Sequence, residues 1–342
     1  MRLKENITLK DIANELNLSM VAVSKALRGH PDISQETAKL IRQTATALGY
    51  IPNSPARILS SRKSKTIGLV VPKISDHYYS ILVESVYNAA YKKGYEIVLS
   101  ISQDSEKREI DNLKALLALR VDGLILAISD NTLNDSFNNY IKRKGIPIIL
   151  INKYIKDSSF NTITLDVRDG AFKAVEHAVN MGYKKIGFIT NNHDILVSKE
   201  CYLGVKDAMQ KYNINMNPNW VKFGDLNESA GYDSLMQIYR SGDFPEFLVS
   251  TSNQITFGIN SAAKELGLKI PDDLNIICLG NKKYTEYLTP SLSYMELPTN
   301  ILGYKSVEIL LENINLGDSF QSKHIKIPTN LILQETCLNK RN

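Results

Sequence analysis

A chain of 342 residues is long enough for two or three domains with cores of their own, and its composition is that of an ordinary soluble protein. No apolar run approaches the roughly 20 residues that span a bilayer. No apolar stretch of signal-peptide length follows Met1–Asn6, and Cys201, Cys278 and Cys337 show neither CxxC nor zinc spacing, so the expectation is a cytoplasmic protein with reduced thiols. Charge is uneven: residues 1–65 hold 11 Lys and Arg against 5 Asp and Glu, a net +6, while the remainder carries −1. A basic head on a near-neutral body suits a partner that is a polyanion.

The head reads as three short helices. Thr8 is a good N-cap with Asp11 three residues on, and Ile12, Ala13 and Leu16 form one apolar face. Asn17-Leu18 is a tight turn, and Ser19 caps a second helix in which Val23, Ala26 and Leu27 face inward. Met20, Val21, Ser24 and Lys25 then face out, and Gly29-His30-Pro31 ends the helix. Ser34 caps a third helix, with Thr37 at the box position, Ala38, Ile41, Ala45 and Leu48 inside and Gly49 as its stop. The outward face of the second helix has the chemistry of base edges. Lys25 can donate to guanine O6/N7 or to phosphate, Ser24 can bond either way, and Met20 and Val21 can press on thymine methyls. Thr8, Ser34, Thr37 and Tyr50 are placed to donate to phosphates. A plain three-helix bundle with an incidental basic face has the same pattern. Beyond Tyr50, Pro55 fits the first turn of a short helix, which leaves Leu59 either as a wedge for the minor groove or as a residue resting on the body.

The ordered succession Thr8, Asp11-Ile12-Ala13, Leu18-Ser19, Val23 to Gly29, Ile33-Ser34, Thr37, Leu48-Gly49-Tyr50, Pro52-Asn53, Ala56-Arg57, Leu59 and Lys65 to Pro72 resembles the LacI/GalR (lactose-repressor) family of bacterial transcription regulators. The resemblance implies an N-terminal helix-turn-helix (residues 1–50), a hinge helix and linker (51–65), and a periplasmic-binding-protein-like effector and dimerisation domain (66–342). It also implies that Met20, Val21 and Lys25 read bases, that Asn53 to Leu59 is the hinge helix, and that Leu59 is the wedge. Ser19, Arg28, Asn53, Ala56 and Arg57 complete the expected DNA-binding set. At Lys25 the family often has arginine, and lysine lacks the bidentate fork.

From Thr66 onward strands and helices alternate. Ile67–Val71, Ile97–Ile101, Val121–Ala127 and Ile146–Ile151 read as buried parallel strands, with helices near 78–93, 106–119 and 131–144 between them. A second set has strands at Lys185–Thr190, Trp220–Phe223, Glu246–Ser250 and Leu274–Leu279, and helices near 168–181, 199–212, 228–240 and 256–266. Two such sets predict two doubly wound α/β lobes with a ligand cleft beyond the strands' carboxyl ends. The resemblance adds crossovers near 163–166, 290–296 and 325–328, a helix at 301–315 returning to the first lobe, and the division 66–163 plus 294–325 against 164–293 plus 326–342. It places His177 on a lobe helix in a structural role.

Cleft loops should start at Pro72, Ser102, Ala127, Asn152, Thr190, Thr251 and Gly280. The candidate effector contacts are Asp76, Tyr78, Tyr79, Asp130, Lys153, Asn192, Cys201, Ser252 and Asn281, with Ser75, Asn152, Asp166, Asn253 and Lys282 nearby. Ser75 and Asp76 have the alternative role of capping the next helix. Relative to the family, Cys201 stands where an arginine is usual and Gly280 where an aspartate often takes two sugar hydroxyls, so a familiar sugar in the usual pose is not expected. No GxSxG, GxxxxGK, HExxH or GxGxxG motif is present, so neither an enzyme nor a resident cofactor is expected. The reading is a dimeric, DNA-binding regulator, a repressor on a palindromic operator, answering to a sugar-related effector. A transporter's solute-binding protein would share the body but not the basic head.

Overall fold

A computed structural model describes residues 7–50, 63–128, 140–141, 143–152, 160–192, 195–280, 282, 288–317 and 322–337. The hinge segment, with Asn53, Ala56, Arg57 and Leu59, lies outside the described residues, as do Asp130, Lys153, Asn281 and most of the helix expected at 131–144. Chain contacts divide the molecule into two units, residues 1–64 and 65–342.

In the first unit, α1 (Leu9–Glu15), α2 (Met20–Leu27) and α3 (Gln35–Ala47) enclose a core of Ile12, Ala13, Val23, Ala26, Ala38, Ile41 and Ala45. Local chemistry fixes each end. Thr8 and Asp11 form a reciprocal capping box, with the Thr8 N–H donating to Asp11 Oδ2 (2.8 Å) and the Asp11 N–H to Thr8 Oγ1 (3.4 Å). Asn17 takes the left-handed conformation (φ +53°), which tightens the turn into Ser19, the cap of α2. After α2, Gly29 is left-handed (φ +73°), and the N–H groups of Gly29 and His30 bond back to the carbonyls of Ala26 and Lys25. This closure reverses the chain and brings residues 30–32 back towards the helix.

The second unit has two six-stranded sheets. The first has the order β11-β5-β4-β3-β1-β2, built from β1 (Thr66–Val71), β2 (Glu96–Ile101), β3 (Gly123–Leu126), β4 (Ile148–Ile151), β5 (Asn161–Leu165) and β11 (His324–Ile327). The second has the order β12-β10-β9-β8-β6-β7, from β6 (Ile186–Asn191), β7 (Val221–Gly224), β8 (Phe247–Ser250), β9 (Asn275–Gly280), β10 (Ser293–Glu296) and β12 (Asn330–Ile332). Pairing is parallel except between β10 and β12.

Period-two alternation sends successive side chains to opposite faces. Ile67, Leu69, Ile125, Ile149 and Ile151 meet one apolar layer with Leu82 and Val86 of α4 (His77–Lys92) and Leu302 and Leu310 of α10 (Thr299–Leu316). Val70, Leu124, Leu126, Ile148 and Leu150 meet Leu113 and Leu116 of α5 (Glu106–Ala118) on the other face. The second sheet repeats the scheme. Phe188, Phe247, Val249 and Ile277 share a core with residues of α6 (Val167–Asn180) and α7 (Leu196–Lys211). Leu248, Ile276 and Cys278 pack with α8 (Glu228–Arg240) and α9 (Asn253–Glu265). The α8–α9 pair requires Gly258, because a Cβ there would fall on the backbone carbonyl oxygen of Glu228.

The chain crosses between sheets after β5, β10 and β11. The second crossover follows Glu296 rather than residue 294, because Ser293–Glu296 is hydrogen-bonded into the second sheet. The third follows Ile327 rather than residue 325, because His324–Ile327 pairs with β5. Strands β5, β10 and β11 have no long apolar run and coincide with the expected crossovers at 163–166, 290–296 and 325–328, while β12 falls on no expected element. Among the described residues no helix is long and apolar enough to cross a membrane.

Candidate functional site

In the head, the surface of α2 is set by helical phase. Val23 and Ala26 are fully buried, which turns Met20 (53% exposed) and Val21 (64%) outward, with Ser24 and Lys25 half-buried beside them. Ser19 Oγ accepts the Ala22 N–H (3.1 Å), so its hydroxyl holds the start of the helix, and it is itself exposed. Arg28 Nε donates to the Ser24 carbonyl (3.1 Å), bracing the guanidinium at the helix's end. Ser34 and Thr37 hydroxyls bond one another (2.8 Å), and Thr8 Oγ1 donates to Asp11 Oδ2 (2.7 Å). Tyr50 leans on the core of the head. The arrangement brings Met20, Val21, Ser24 and Lys25 together on one helix, with the hydroxyls of Thr8, Ser19 and Ser34 at helix starts.

One partner was not foreseen. Lys25 Nζ donates to Asp32 Oδ2 at 2.8 Å, and His30 Nδ1 lies 3.3 Å from the same oxygen. The Lys25 hydrogen bond, with the charges of His30 and Lys25, holds the Asp32 carboxyl below its ordinary value. The available signal was the tight reversal at Gly29-His30-Pro31, which folds position 32 back onto the helix.

In the second unit, the chain passes between the two sheets after β5, β10 and β11, and the candidate polar residues follow the carboxyl ends of strands in each sheet. On the first sheet's side, Asp76 caps α4 by accepting the Tyr78 N–H (2.8 Å). Tyr78 and Tyr79 meet edge to face, with ring centroids 5.1 Å apart. Asn152, in the left-handed conformation (φ +57°) just past β4, donates its amide to the Tyr78 hydroxyl. Burial pushes both phenols well above their ordinary pKa, so they stay neutral donors and acceptors. On the second sheet's side, Thr251 Oγ1 donates to Thr190 Oγ1 (2.9 Å) and the Ser250 and Thr256 hydroxyls hydrogen-bond each other (2.6 Å). Ser252 Oγ caps α9 by accepting the Ile255 N–H (3.1 Å). Asn253 Oδ1 accepts from Cys278 Sγ (3.5 Å) and fills the space a side chain at Gly280 would enter.

Two further candidates sit differently. Cys201 lies in the apolar core beneath the second sheet, 1% exposed, with burial pushing its thiol up to about 12. Asn192 is exposed at the end of β6, its N–H bonded to Asn191 Oδ1 (2.7 Å). The described lining is thus phenol, hydroxyl and carboxamide with the capping carboxylate of Asp76, which suits hydrogen bonding to a polar ligand. Among the described residues no group of His, Cys, Asp and Glu is placed to hold a metal ion.

Residues 64–335 match the family described as periplasmic binding proteins and sugar binding domain of the LacI family, and residues 8–53 match the bacterial regulatory proteins of the lacI family. Among curated proteins, the NTD biosynthesis operon regulator NtdR of Bacillus subtilis is 29% identical over 96% of this chain and 99% of its own length. Catabolite control protein A of Priestia megaterium is 26% identical over 94% and 97%. The transcriptional repressor PurR of Actinobacillus pleuropneumoniae is 27% identical over 97% and 98%. Among solved structures, a lac repressor dimer bound to operator and an anti-inducer superposes with a TM-score of 0.87 at 22% identity, covering 97% of this chain and 99% of that one.

Proposed function

The chain belongs to the LacI family of DNA-binding transcription regulators, and from that premise we propose a homodimeric, cytoplasmic repressor that reads a palindromic operator and answers to a small polar effector, sugar or sugar derivative, held between its lobes. The observation that carries the reading is the capped, outward face of α2, where Met20 and Val21 are exposed on a helix whose other side is fully buried. Met20, Val21 and Lys25 read bases in the major groove. Thr8, Ser19, Ser24, Arg28, Ser34, Thr37 and Tyr50 fix register on phosphates, and residues 51–65, with Asn53, Ala56, Arg57 and Leu59, form the hinge that enters the minor groove. Residues 1–50 are the DNA-binding head and 66–342 the sensing and dimerising body.

A second copy of the chain fits the outer side of the body. Tyr87 and Tyr91 stack on α4 (centroids 6.3 Å apart) and are exposed, as are Leu99 and Ile101 of β2. In the second lobe, Phe223 of β7 and Leu226 are exposed too. β2 and β7 are corresponding edge strands of their sheets, so the apolar surface recurs on equivalent edges of the two lobes. Effector contacts fall to Asp76, Tyr78, Tyr79, Asp130, Lys153, Asn192, Ser252 and Asn281, with Asn152 and Asn253 as the amides best placed to share them. Cys201 acts from the core, by packing. A ligand that favours one angle between the lobes shifts the separation of two paired hinges, and so couples to DNA by reciprocal linkage.

The test is selection of duplexes from a random pool with the purified chain, followed by sedimentation of free protein and complex. A palindromic consensus bound by a dimer is the expected result. A non-palindromic consensus or a monomeric complex contradicts the dimeric reading.

A further inference from the structure

We propose that Asp32 is a positioning residue for DNA reading: it holds the Lys25 ammonium at one point, and so lends a lysine the directionality that an arginine fork would have by itself. The inference rests on Lys25 facing bases, as above.

The geometry follows from the end of α2. The left-handed Gly29 and the bonds from Gly29 and His30 to the carbonyls of Ala26 and Lys25 close the helix and reverse the chain. Two residues later Asp32 meets the side chain of Lys25, seven positions back, at 2.8 Å. The pair is open, with side chains 36% and 56% exposed, so DNA can reach it. An ammonium has three donors, and Asp32 uses one, leaving two for a base edge or a phosphate. A free lysine must give up many rotamers to hold one geometry on a base, and a lysine already fixed by a carboxylate gives up fewer. The same carboxylate is a negative charge beside a polyanion and repels every sequence equally. Asp32 therefore sharpens discrimination while weakening non-specific affinity, two effects of opposite sign. Around it stand the Lys25 ammonium and the His30 ring, with Arg28 braced one turn along on Ser24.

The experiment compares the full chain with Asp32→Asn, Lys25→Ala, the double variant and Asp32→Glu, by fluorescence anisotropy on the selected operator and on a scrambled duplex at two salt concentrations. Asp32→Asn should bind the scrambled duplex about two- to fivefold more tightly while the operator-to-scrambled ratio falls about two- to fivefold, the range an exposed ion pair commands. Asp32→Glu, which keeps the charge, should recover part of the ratio. In the Lys25→Ala background, Asp32→Asn should leave the ratio unchanged. Reselection with Asp32→Asn should relax the same base pair that Lys25→Ala relaxes. A ratio that stays constant or rises on Asp32→Asn overturns the proposal, and so does an equal fall without Lys25, which would mark an effect on the head's fold. If Lys25→Ala alone alters no base preference, the base-facing reading of Lys25 fails, and this proposal with it, while operator binding itself stands.

Discussion

Two serines, Ser19 in the head and Ser252 in the body, make the same bond with opposite consequences. Each caps a helix by accepting an N–H three residues ahead, at 3.1 Å in both cases. After Ser19 the next two residues, Met20 and Val21, are exposed. After Ser252, Asn253 is half-buried and Gln254 exposed before Ile255 and Thr256 turn fully inward. The head is one layer of three helices around a small core, so anything not needed by that core faces solvent. The body packs helices on both faces of each sheet, so a strand-end residue is committed to caps and hydrogen bonds before any ligand arrives. The face of α2 is left bare, whereas the polar groups at the second unit's strand ends are already engaged with each other.

Breaking the body's packing should produce the largest change. Gly258→Ala gains up to about 1 kcal/mol of helix propensity. It also drives a methyl into the Glu228 carbonyl, backbone that cannot rotate away, so the expected net loss is about 3 kcal/mol. Urea denaturation followed by tryptophan emission reads it, since Trp220 lies in the body core that holds Ile255, Ile259 and Ala262 of α9. A stability equal to wild type would mean that α8 and α9 are not in this contact.

Removing the head's exposed chemistry should leave that denaturation curve in place and weaken the operator. Val21→Ala with Lys25→Ala should cost about 2 kcal/mol of operator binding, roughly thirtyfold, with little change in the body's stability. Equal affinity for wild type and the double variant would remove α2 from the interface.

The two caps then sharpen the contrast directly. Ser19→Ala and Ser252→Ala should each cost about 1 kcal/mol, the first in the head's unfolding and the second in the body's. An unchanged body after Ser252→Ala would return that hydroxyl to the ligand rather than the helix.

The smallest effect is electrostatic. Burial lowers the His177 pKa below its ordinary 6.5, and its enclosed Nε2 has no hydrogen-bond partner among the described residues. Between the folded and unfolded values the unfolded chain binds more protons, so stability falls as pH drops below about 6.5. Denaturation at about pH 7.5 and about pH 5.5 should show this decline in wild type, and a flatter profile in His177→Gln.

Much of this contrast was legible in the sequence, for local reasons. Thr8, Ser19 and Ser34 announce helix starts, Gly29 and Gly49 announce ends, and a period of 3.6 assigns Val23 and Ala26 inward and Met20 and Val21 outward. The long apolar runs of β1, β8 and β9 were equally plain, because strands covered on both faces carry no alternation to misread. What stayed hidden depends on residues far apart in the chain. Nothing local says that Asn152 reaches Tyr78, that Cys278 holds Asn253, or that Ser293–Glu296 pairs into the second sheet rather than beginning the return to the first. Cys201 stands where the family usually has an arginine, yet the phase of α7 turns it into the core. Asp32 pairs with Lys25 only because the chain reverses at Gly29, a turn readable in the sequence whose contact partner is not.

On the function proposed above, the bare face of α2 selects DNA by sequence. The most direct measurement is anisotropy of the full chain on its selected operator against excess random duplex, for wild type and for Met20, Val21 and Lys25 all changed to alanine. Wild type should hold the operator through the competitor, with an affinity that falls steeply as salt rises, and the triple variant should lose the preference. A wild type that is displaced as readily as the triple variant would contradict it.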